Sequence, residues 1–141
     1  MIDMKKVYDV IHYVESKVKE FNGYRIIECN LYAYEPEDKI IYIAKEEDEL
    51  EEEGNAFLET YLKDEFDITI PKDKMFIFSI LHEIGHFMTL KAIDMDNYWE
   101  EIKKLKDDDF LAYRKIKAEY IADEWAIEFI NNNKNILYNS Y

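Results

Sequence analysis

Cysteine is nearly absent from the 141-residue chain, which contains only Cys29. A single thiol excludes a disulfide framework and a zinc cluster built from thiolates, and it agrees with a reducing compartment. Glycine (3) and proline (2) are also scarce, which excludes collagen-like and low-complexity classes. The sequence has no run near the roughly 18 apolar residues of a membrane span, and residues 1–14 lack the apolar core of a secretory signal. We therefore expect a cytoplasmic protein without a membrane partner.

Basic residues are outnumbered, because 18 Lys and Arg stand against 32 Asp and Glu, for a formal net charge of −14. Surfaces that bind nucleic acids need clustered positive charge to meet phosphates, so we expect no direct nucleic-acid binding. Residues 46–53 (EEDELEEE) supply half of the excess. Such a charge run is usually a solvated loop or the first turn of a helix, and cation binding and partner docking are the alternatives.

The order of apolar patterns predicts one α+β domain over residues 1–141. Residues 1–67 would form an N-terminal helix and a small antiparallel sheet, and residues 68–141 a helical half. Apolar residues recur at steps of three and four from Val7 to Phe21, which predicts a first helix that ends near Asn22-Gly23.

A hairpin is predicted to follow the first helix. Residues 24–34 are rich in β-branched and aromatic side chains, and Lys39–Ala44 (KIIYIA) is a candidate return strand beyond a turn at residues 35–38. The alternation in the first of these strands places four side chains on its buried face: Ile27, Cys29, Leu31 and Ala33.

Helices are predicted for most of the remaining chain. Residues from Lys72 to about Ile93 are apolar on most sides, which is typical of a buried helix. The other elements come from the same kind of pattern: a short helix over Ala56–Phe66, an extended piece over Asp67–Ile70 that stops at Pro71, a polar helix over Asp94–Lys106, acidic capping residues at Asp107–Asp109 and a last helix over Phe110–Ile130.

The strongest indication of function is His82-Glu83-Ile84-Gly85-His86, an HExxH motif inside the predicted buried helix. Residues four apart share one helical face, so both imidazoles can reach one ion. Glu83 projects beside that face, where it can take a proton from a metal-bound water, as in zinc hydrolases. Gly85 would let a strand or a substrate backbone come close. A chance match and a histidine pair placed only for packing are the alternatives.

A catalytic zinc site usually has three protein ligands. The remaining histidine, His12, lies far upstream and is expected to be a surface or packing residue. Glu119 and Asp123 share the inward face of the last predicted helix, where two carboxylates need a cation or hydrogen bonds. We predict Glu119 as the third ligand and Asp123 as the acceptor of a ligand-histidine N–H. A solvated acidic stripe on a surface helix is the alternative.

Two blocks of the sequence resemble the ImmA/IrrE-type metallopeptidases. Residues 78–86 (FSILHEIGH) are similar to the family's Phe-Thr-Leu-Ala-His-Glu-Leu-Gly-His, and residues 119–126 (EYIADEWA) to its Glu-x-x-Ala-Asn/Asp-x-Phe-Ala. The resemblance covers residues 68–130 well and the preceding part in outline. The chain departs from the family at residues 129–131 (FIN), where a Leu-Met-Pro-like sequence is common.

The resemblance implies a gluzincin-like domain that binds zinc through His82, His86 and Glu119, with Glu83 as catalytic base. It also implies cleavage of a specific protein substrate, often a helix-turn-helix repressor of a phage or mobile element. The alternative is a zinc-stabilised module that binds a partner without cutting it, because no donor for the oxyanion stands out among His12 and the 12 tyrosines. A third hypothesis makes the acidic run a decoy for a basic, DNA-binding partner.

Overall fold

The structure, a computed structural model, describes residues 3–45, 49–106 and 109–141, and for residues 49–54 the backbone alone. A helix, a small sheet and then helices follow one another, which confirms the α+β class. The helices are α1 (Met4–Lys17), α2 (Glu49–Phe66), α3 (Met75–Thr89), α4 (Met95–Lys103), α5 (Phe110–Lys115), α6 (Lys117–Asn132) and α7 (Lys134–Ser140), and the strands are β1 (Arg25–Cys29), β2 (Ala33–Glu35) and β3 (Ile40–Ala44).

The first helix begins after Asp3, whose carboxylate accepts hydrogen bonds from two backbone N–H groups of the first turn. It ends at Lys17 rather than near Asn22, because Val18 takes an extended conformation. Phe21 is nevertheless buried, so the apolar periodicity continues past the end of the helix. Gly23 has a φ of 73°, which is the left-handed conformation expected at this turn.

The sheet is mixed, with strand order β1-β3-β2, rather than antiparallel as predicted. The expected hairpin exists between β2 and β3, whose strands pair antiparallel. The predicted continuous strand over residues 24–34 is instead two strands, and the first of them, β1, pairs parallel with the other edge of β3. The predicted buried face was also wrong, because Ile27 is 37% exposed and Leu31 50% exposed, whereas Ile26 packs against the core.

Two helices differ in length from the predictions. Residues 46–48 of the acidic run lie outside the described residues, and residues 49–53 form the beginning of α2, which therefore starts before the predicted Ala56. The polar helix predicted over Asp94–Lys106 is shorter, and the Asp94 carboxylate caps it by accepting two backbone N–H bonds.

The apolar helix α3 occupies the middle of the molecule. Short 3-10 turns over Lys72–Lys74 and Leu90–Ala92 flank it, so the predicted helical segment from Lys72 to Ile93 is confirmed in outline. Most of its side chains are buried, and the apolar core to which it belongs includes residues of α1, α2, α6, α7 and β3. Within the described residues, no helix is long and apolar enough to cross a membrane.

The last predicted helix is broken. Ile116 has φ −63° and ψ 146°, an extended conformation that separates α5 from α6 within the predicted span Phe110–Ile130. The carboxylate of Asp109 caps α5 by accepting the backbone N–H of Ala112 at 2.9 Å, and residues 107–108 of the predicted acidic cap lie outside the described residues. The break changes the direction of the chain just before the residues of the candidate site.

Candidate metal centre

Two histidines of α3 and one glutamate of α6 meet inside the protein. The Nε2 atoms of His82 and His86 lie 3.0 Å apart, as their spacing of one helical turn allows. The Oε2 atom of Glu119 lies 2.8 Å from His82 Nε2 and 2.9 Å from His86 Nε2. All three side chains are buried. The structure therefore brings together the three residues that the sequence analysis predicted as ligands.

This group has the donors and the dimensions of a metal site. Each residue offers one ligand atom, and the three atoms lie close enough together that the group could hold one metal ion. Ligand atoms at zinc bond lengths of about 2.1 Å in tetrahedral geometry are separated by about 3.4 Å, so a small outward shift of the present atoms would accommodate an ion. Two imidazoles and one carboxylate also leave a fourth coordination position open.

Gly85 determines how closely the two halves of the site approach. A Cβ at this position would lie 2.6 Å from the carbonyl oxygen of Ala122, which is too close for any side chain. The neighbour of Gly85 is thus the backbone of α6, and not the strand or substrate that the sequence analysis expected. Because α6 touches α3 here, Glu119 one turn earlier on α6 can reach both histidines.

Asp123 lies behind the histidines and is fully buried. Its Oδ1 atom is 2.7 Å from Nδ1 of His82. A carboxylate at this distance accepts a hydrogen bond from Nδ1–H, so Nε2 is the nitrogen that faces Glu119 and His86. The structure thus places Asp123 where the prediction of an N–H acceptor requires it.

Two residues of α5 that the sequence analysis missed complete these contacts. The hydroxyl of Tyr113 donates to Oε1 of Glu119 at 2.7 Å, and Nη2 of Arg114 donates to Oδ1 of Asp123. Neither residue belongs to a recognisable motif, and their reach depends on the chain break at Ile116. The sequence offers one indication for Arg114, because arginine is scarce and this residue is one of only two arginines in the chain.

The third histidine of the chain, His12, lies away from the candidate metal centre. His12 is on α1 with its side chain largely exposed, and its Nδ1 is 3.9 Å from the carboxylate of Glu15. It is therefore a surface residue, as predicted, and it contributes nothing to the site. Because His12 faces solvent on α1, it is not the oxyanion donor, and the tyrosines remain as the candidates considered from the sequence.

The candidate metal centre opens into a cleft of about 810 Å³ between β2 and α4. Glu83 lines this cleft beside the two histidines, and the ring of Tyr34 stacks on that of His86 with centroids 4.9 Å apart. Tyr98 and the exposed Trp99 form the opposite wall. A ligand entering the cleft would therefore meet Glu83 and the open side of the histidine pair together.

Burial and hydrogen bonding shift the proton affinities of the site in opposite directions. Burial lowers the pKa of His82, but hydrogen bonds to Asp123 and Glu119 outweigh it and raise that pKa to about 9. For Glu119 the directions are reversed. Burial raises the pKa of this carboxyl group, but hydrogen bonds to His82 and His86 outweigh burial and hold the pKa well below its usual range. For Glu83, burial is the largest influence and raises the pKa, against the lowering effect of the two histidines.

The contacts therefore define a buried group of two histidines and one glutamate that could hold a metal ion, with a further carboxylate beside it in an open cleft. Comparison of the chain with protein-family models, with curated proteins and with solved structures finds no match.

Proposed function

We propose that the chain is a cytoplasmic, zinc-dependent endopeptidase similar to the ImmA/IrrE-type enzymes. The observation that carries the proposal is the convergence of His82, His86 and Glu119 on a common point at about 3 Å spacing, with Glu83 in the same cleft. Two histidines and a glutamate, with a second glutamate following the first histidine, are the donor set and base of zinc peptidases.

In this proposal His82, His86 and Glu119 hold the ion, and Asp123 fixes the orientation of His82. A zinc ion held there would supply Lewis acidity, which would polarise a substrate carbonyl and make water a better nucleophile. Glu83 accepts a proton from the attacking water and delivers it to the leaving amine. The side chains of the cleft walls, including Tyr98 and Trp99, contact and orient the peptide.

The cleft and the charge of the chain favour a protein substrate with a basic surface. The cleft lining is largely aromatic and aliphatic, including Tyr98 and Trp99, and can accept a large apolar side chain next to the peptide bond. A net charge of −14 attracts a positively charged partner. A helix-turn-helix repressor of a phage or mobile element has such a surface, and the family resemblance favours this substrate class.

Metal content and cleavage by matched variants test the proposal. Purified wild-type protein should contain close to one zinc per chain, and Glu119→Ala should lose it. Glu83→Gln should retain zinc and lose about 10²–10⁴-fold in cleavage of a peptide library read by mass spectrometry. Glu124→Gln, an exposed carboxylate of α6, is the control and should cleave as wild type does.

The outcomes separate the proposal from its alternative. Undiminished cleavage by Glu83→Gln would contradict the assignment of the base. A wild-type protein that holds zinc and binds a partner without cutting it would instead be a zinc-stabilised binding module, and binding would then survive Glu83→Gln.

A further inference from the structure

We infer that the short helix α5 is a positioning element for the metal centre, in which Tyr113 orients Glu119 and Arg114 orients Asp123. The inference rests on the metal site of the proposed function, but it does not depend on peptidase activity. Both residues lie outside the HExxH segment and outside the segment that carries Glu119 and Asp123. They act through other side chains and are therefore positioning residues.

Tyr113 determines which oxygen of Glu119 faces the histidines. Its hydroxyl donates to Oε1 at 2.7 Å, while Oε2 lies within 2.9 Å of both histidine Nε2 atoms. A carboxylate held at one oxygen cannot rotate freely, so the other oxygen stays directed at the ion position. Hydrogen bonds of this kind orient metal ligands in general.

Arg114 holds the buried carboxylate that orients His82. Its Nη2 donates to Oδ1 of Asp123, the same oxygen that lies 2.7 Å from His82 Nδ1. Its guanidinium also lies over the rings of Tyr61 and Phe78, with centroids 5.9 and 6.0 Å away.

Among the described residues, Nε of Arg114 and Oδ2 of Asp123 are buried without a hydrogen-bond partner. These are the two atoms that a side-on bidentate pair of arginine and carboxylate joins. In the structure Arg114 and Asp123 are joined through Nη2 and Oδ1, so the arginine fixes the position of that oxygen, and Nε and Oδ2 are left as an unused donor and acceptor facing the same pair.

Arg114 also balances the charges of the ion-loaded site. The ionised side chains of Glu83, Glu119 and Asp123 carry three negative charges, and a divalent ion with two neutral histidines supplies two positive charges. Arg114, which contacts Asp123, supplies the third. Buried charges are costly unless they are paired, so this arginine makes the ion-loaded site electrically neutral.

The chain break at Ile116 makes these contacts geometrically accessible. In an unbroken helix each residue turns by about 100°, so Arg114 and Asp123 would point about 180° apart and could not meet. The extended conformation of Ile116 redirects α5, so that two adjacent residues, Tyr113 and Arg114, reach back to Glu119 and Asp123. The break is thus part of the construction of the site.

Metal affinity tests the inference, with matched controls on both residues. Zn²⁺ affinity is measured by chelator competition for Arg114→Gln beside Lys115→Gln, the neighbouring basic residue, whose side chain is half exposed and paired with Glu65. Tyr113→Phe is measured beside Tyr13→Phe, which loses a hydroxyl contact to Asn133 far from the site. We expect Arg114→Gln and Tyr113→Phe each to lose about tenfold in affinity, and both controls to stay within about twofold.

The direction in which the Zn²⁺ affinity of Arg114→Gln changes distinguishes a positioning role of Arg114 from an effect of its charge alone. Removing a positive charge near a cation site would tighten cation binding if Arg114 acted only by its charge, whereas loss of positioning weakens it. The absorption spectrum of the Co²⁺-loaded protein should also change in Arg114→Gln and Tyr113→Phe but not in the controls. Urea unfolding without metal identifies a variant that has failed to fold, and Tyr113→Phe, which removes a single hydroxyl, then remains as the test.

Two failures are distinguishable. Equal or tighter Zn²⁺ binding by a folded Arg114→Gln together with unchanged binding by Tyr113→Phe would overturn the inference and leave the proposed function standing. A wild-type protein that binds neither Zn²⁺ nor Co²⁺ would refute the proposed function itself, and this inference with it.

Discussion

Gly85 of α3 and Ala122 of α6 are in backbone contact, because a Cβ on Gly85 would lie only 2.6 Å from the Ala122 carbonyl oxygen and 3.2 Å from its Cα. The two helices that supply the candidate ligands therefore cross through backbone atoms. No flexible side chain lies between them that could move to make room. The separation of His82 and His86 from Glu119 is set by this crossing. Changes at Gly85 should consequently affect the metal site as well as stability.

Gly85→Ala should destabilise the protein and weaken metal binding. Alanine would gain about 1 kcal/mol in helix propensity, but a clash with backbone forces the helices apart at a typical cost of 1–3 kcal/mol or more. We expect a lower urea midpoint and weaker Zn²⁺ binding, since α6 carries Glu119 away from the histidines. An unchanged urea midpoint together with wild-type Zn²⁺ affinity would show that α3 and α6 do not need backbone contact at Gly85.

Asp123→Asn should weaken metal binding without removing a ligand. The amide keeps the size of the carboxylate but loses its charge, so it holds His82 Nδ1–H and Arg114 less firmly. Replacing the partner of a ligand histidine typically costs 10–100-fold in metal affinity. Chelator competition measures the effect, and Asp64→Asn, an exposed carboxylate of α2, should match wild type. Equal affinities in both variants would remove Asp123 from any role in binding.

Zinc should stabilise the fold increasingly as its free concentration rises above its Kd for the site. A ligand that binds only the folded state adds about 2.7 kcal/mol to the free energy of unfolding at a free concentration 100 times its Kd. Urea unfolding at increasing Zn²⁺ should show this gain for wild type and for Glu124→Ala, and no comparable gain for Glu119→Ala. A gain that persists in Glu119→Ala would assign the stabilising site to other residues.

Tyr24 should make the protein less stable in alkaline solution. Burial, and then the charges of Tyr34 and Glu35, raise the pKa of Tyr24 from 10.0 to about 12. Between these values the unfolded chain has released a proton that the folded chain retains, so the free energy of unfolding falls as pH rises. Tyr24→Phe should make this fall less steep when urea unfolding is measured from pH 9 to 12.

The same substitution should be harmless at neutral pH. Within the described part of the chain, the Tyr24 hydroxyl is buried without a hydrogen-bond partner, and such a group costs about 1–3 kcal/mol. The ring contacts with Phe21 and Phe87 survive in phenylalanine. Equal or greater stability at pH 7 is expected, and a clear loss would mean that the hydroxyl has a partner after all.

The ligand residues could be predicted from the sequence because their signals are local. His82 and His86 are one helical turn apart, and that spacing alone places both rings on one face. Glu119 and Asp123 follow the same rule on a second helix, and the cost of burying carboxylates indicated that both needed partners. Their assignment to a common centre was also predicted, and the structure brings the three candidate ligands together.

The errors arose where pairing or chain direction depends on distant residues. Alternation along residues 24–34 could not reveal that β1 and β2 lie on opposite edges of β3, because a shift of one residue exchanges the faces of a strand. The break at Ile116 had no glycine or proline to mark it. The contacts of Arg114 depend on that break, so local sequence patterns could not predict them either.

The two tryptophans of the chain occupy contrasting environments. Trp99 is 54% exposed in the wall of the cleft, whereas Trp125 stacks on Phe129 against the core. Their fluorescence therefore separates two events that otherwise overlap. In Trp125→Phe, emission at shorter wavelength would report the docking of a ligand in the cleft, while in Trp99→Phe the remaining signal follows unfolding. The protein thus carries its own optical reporters of occupancy and of folding.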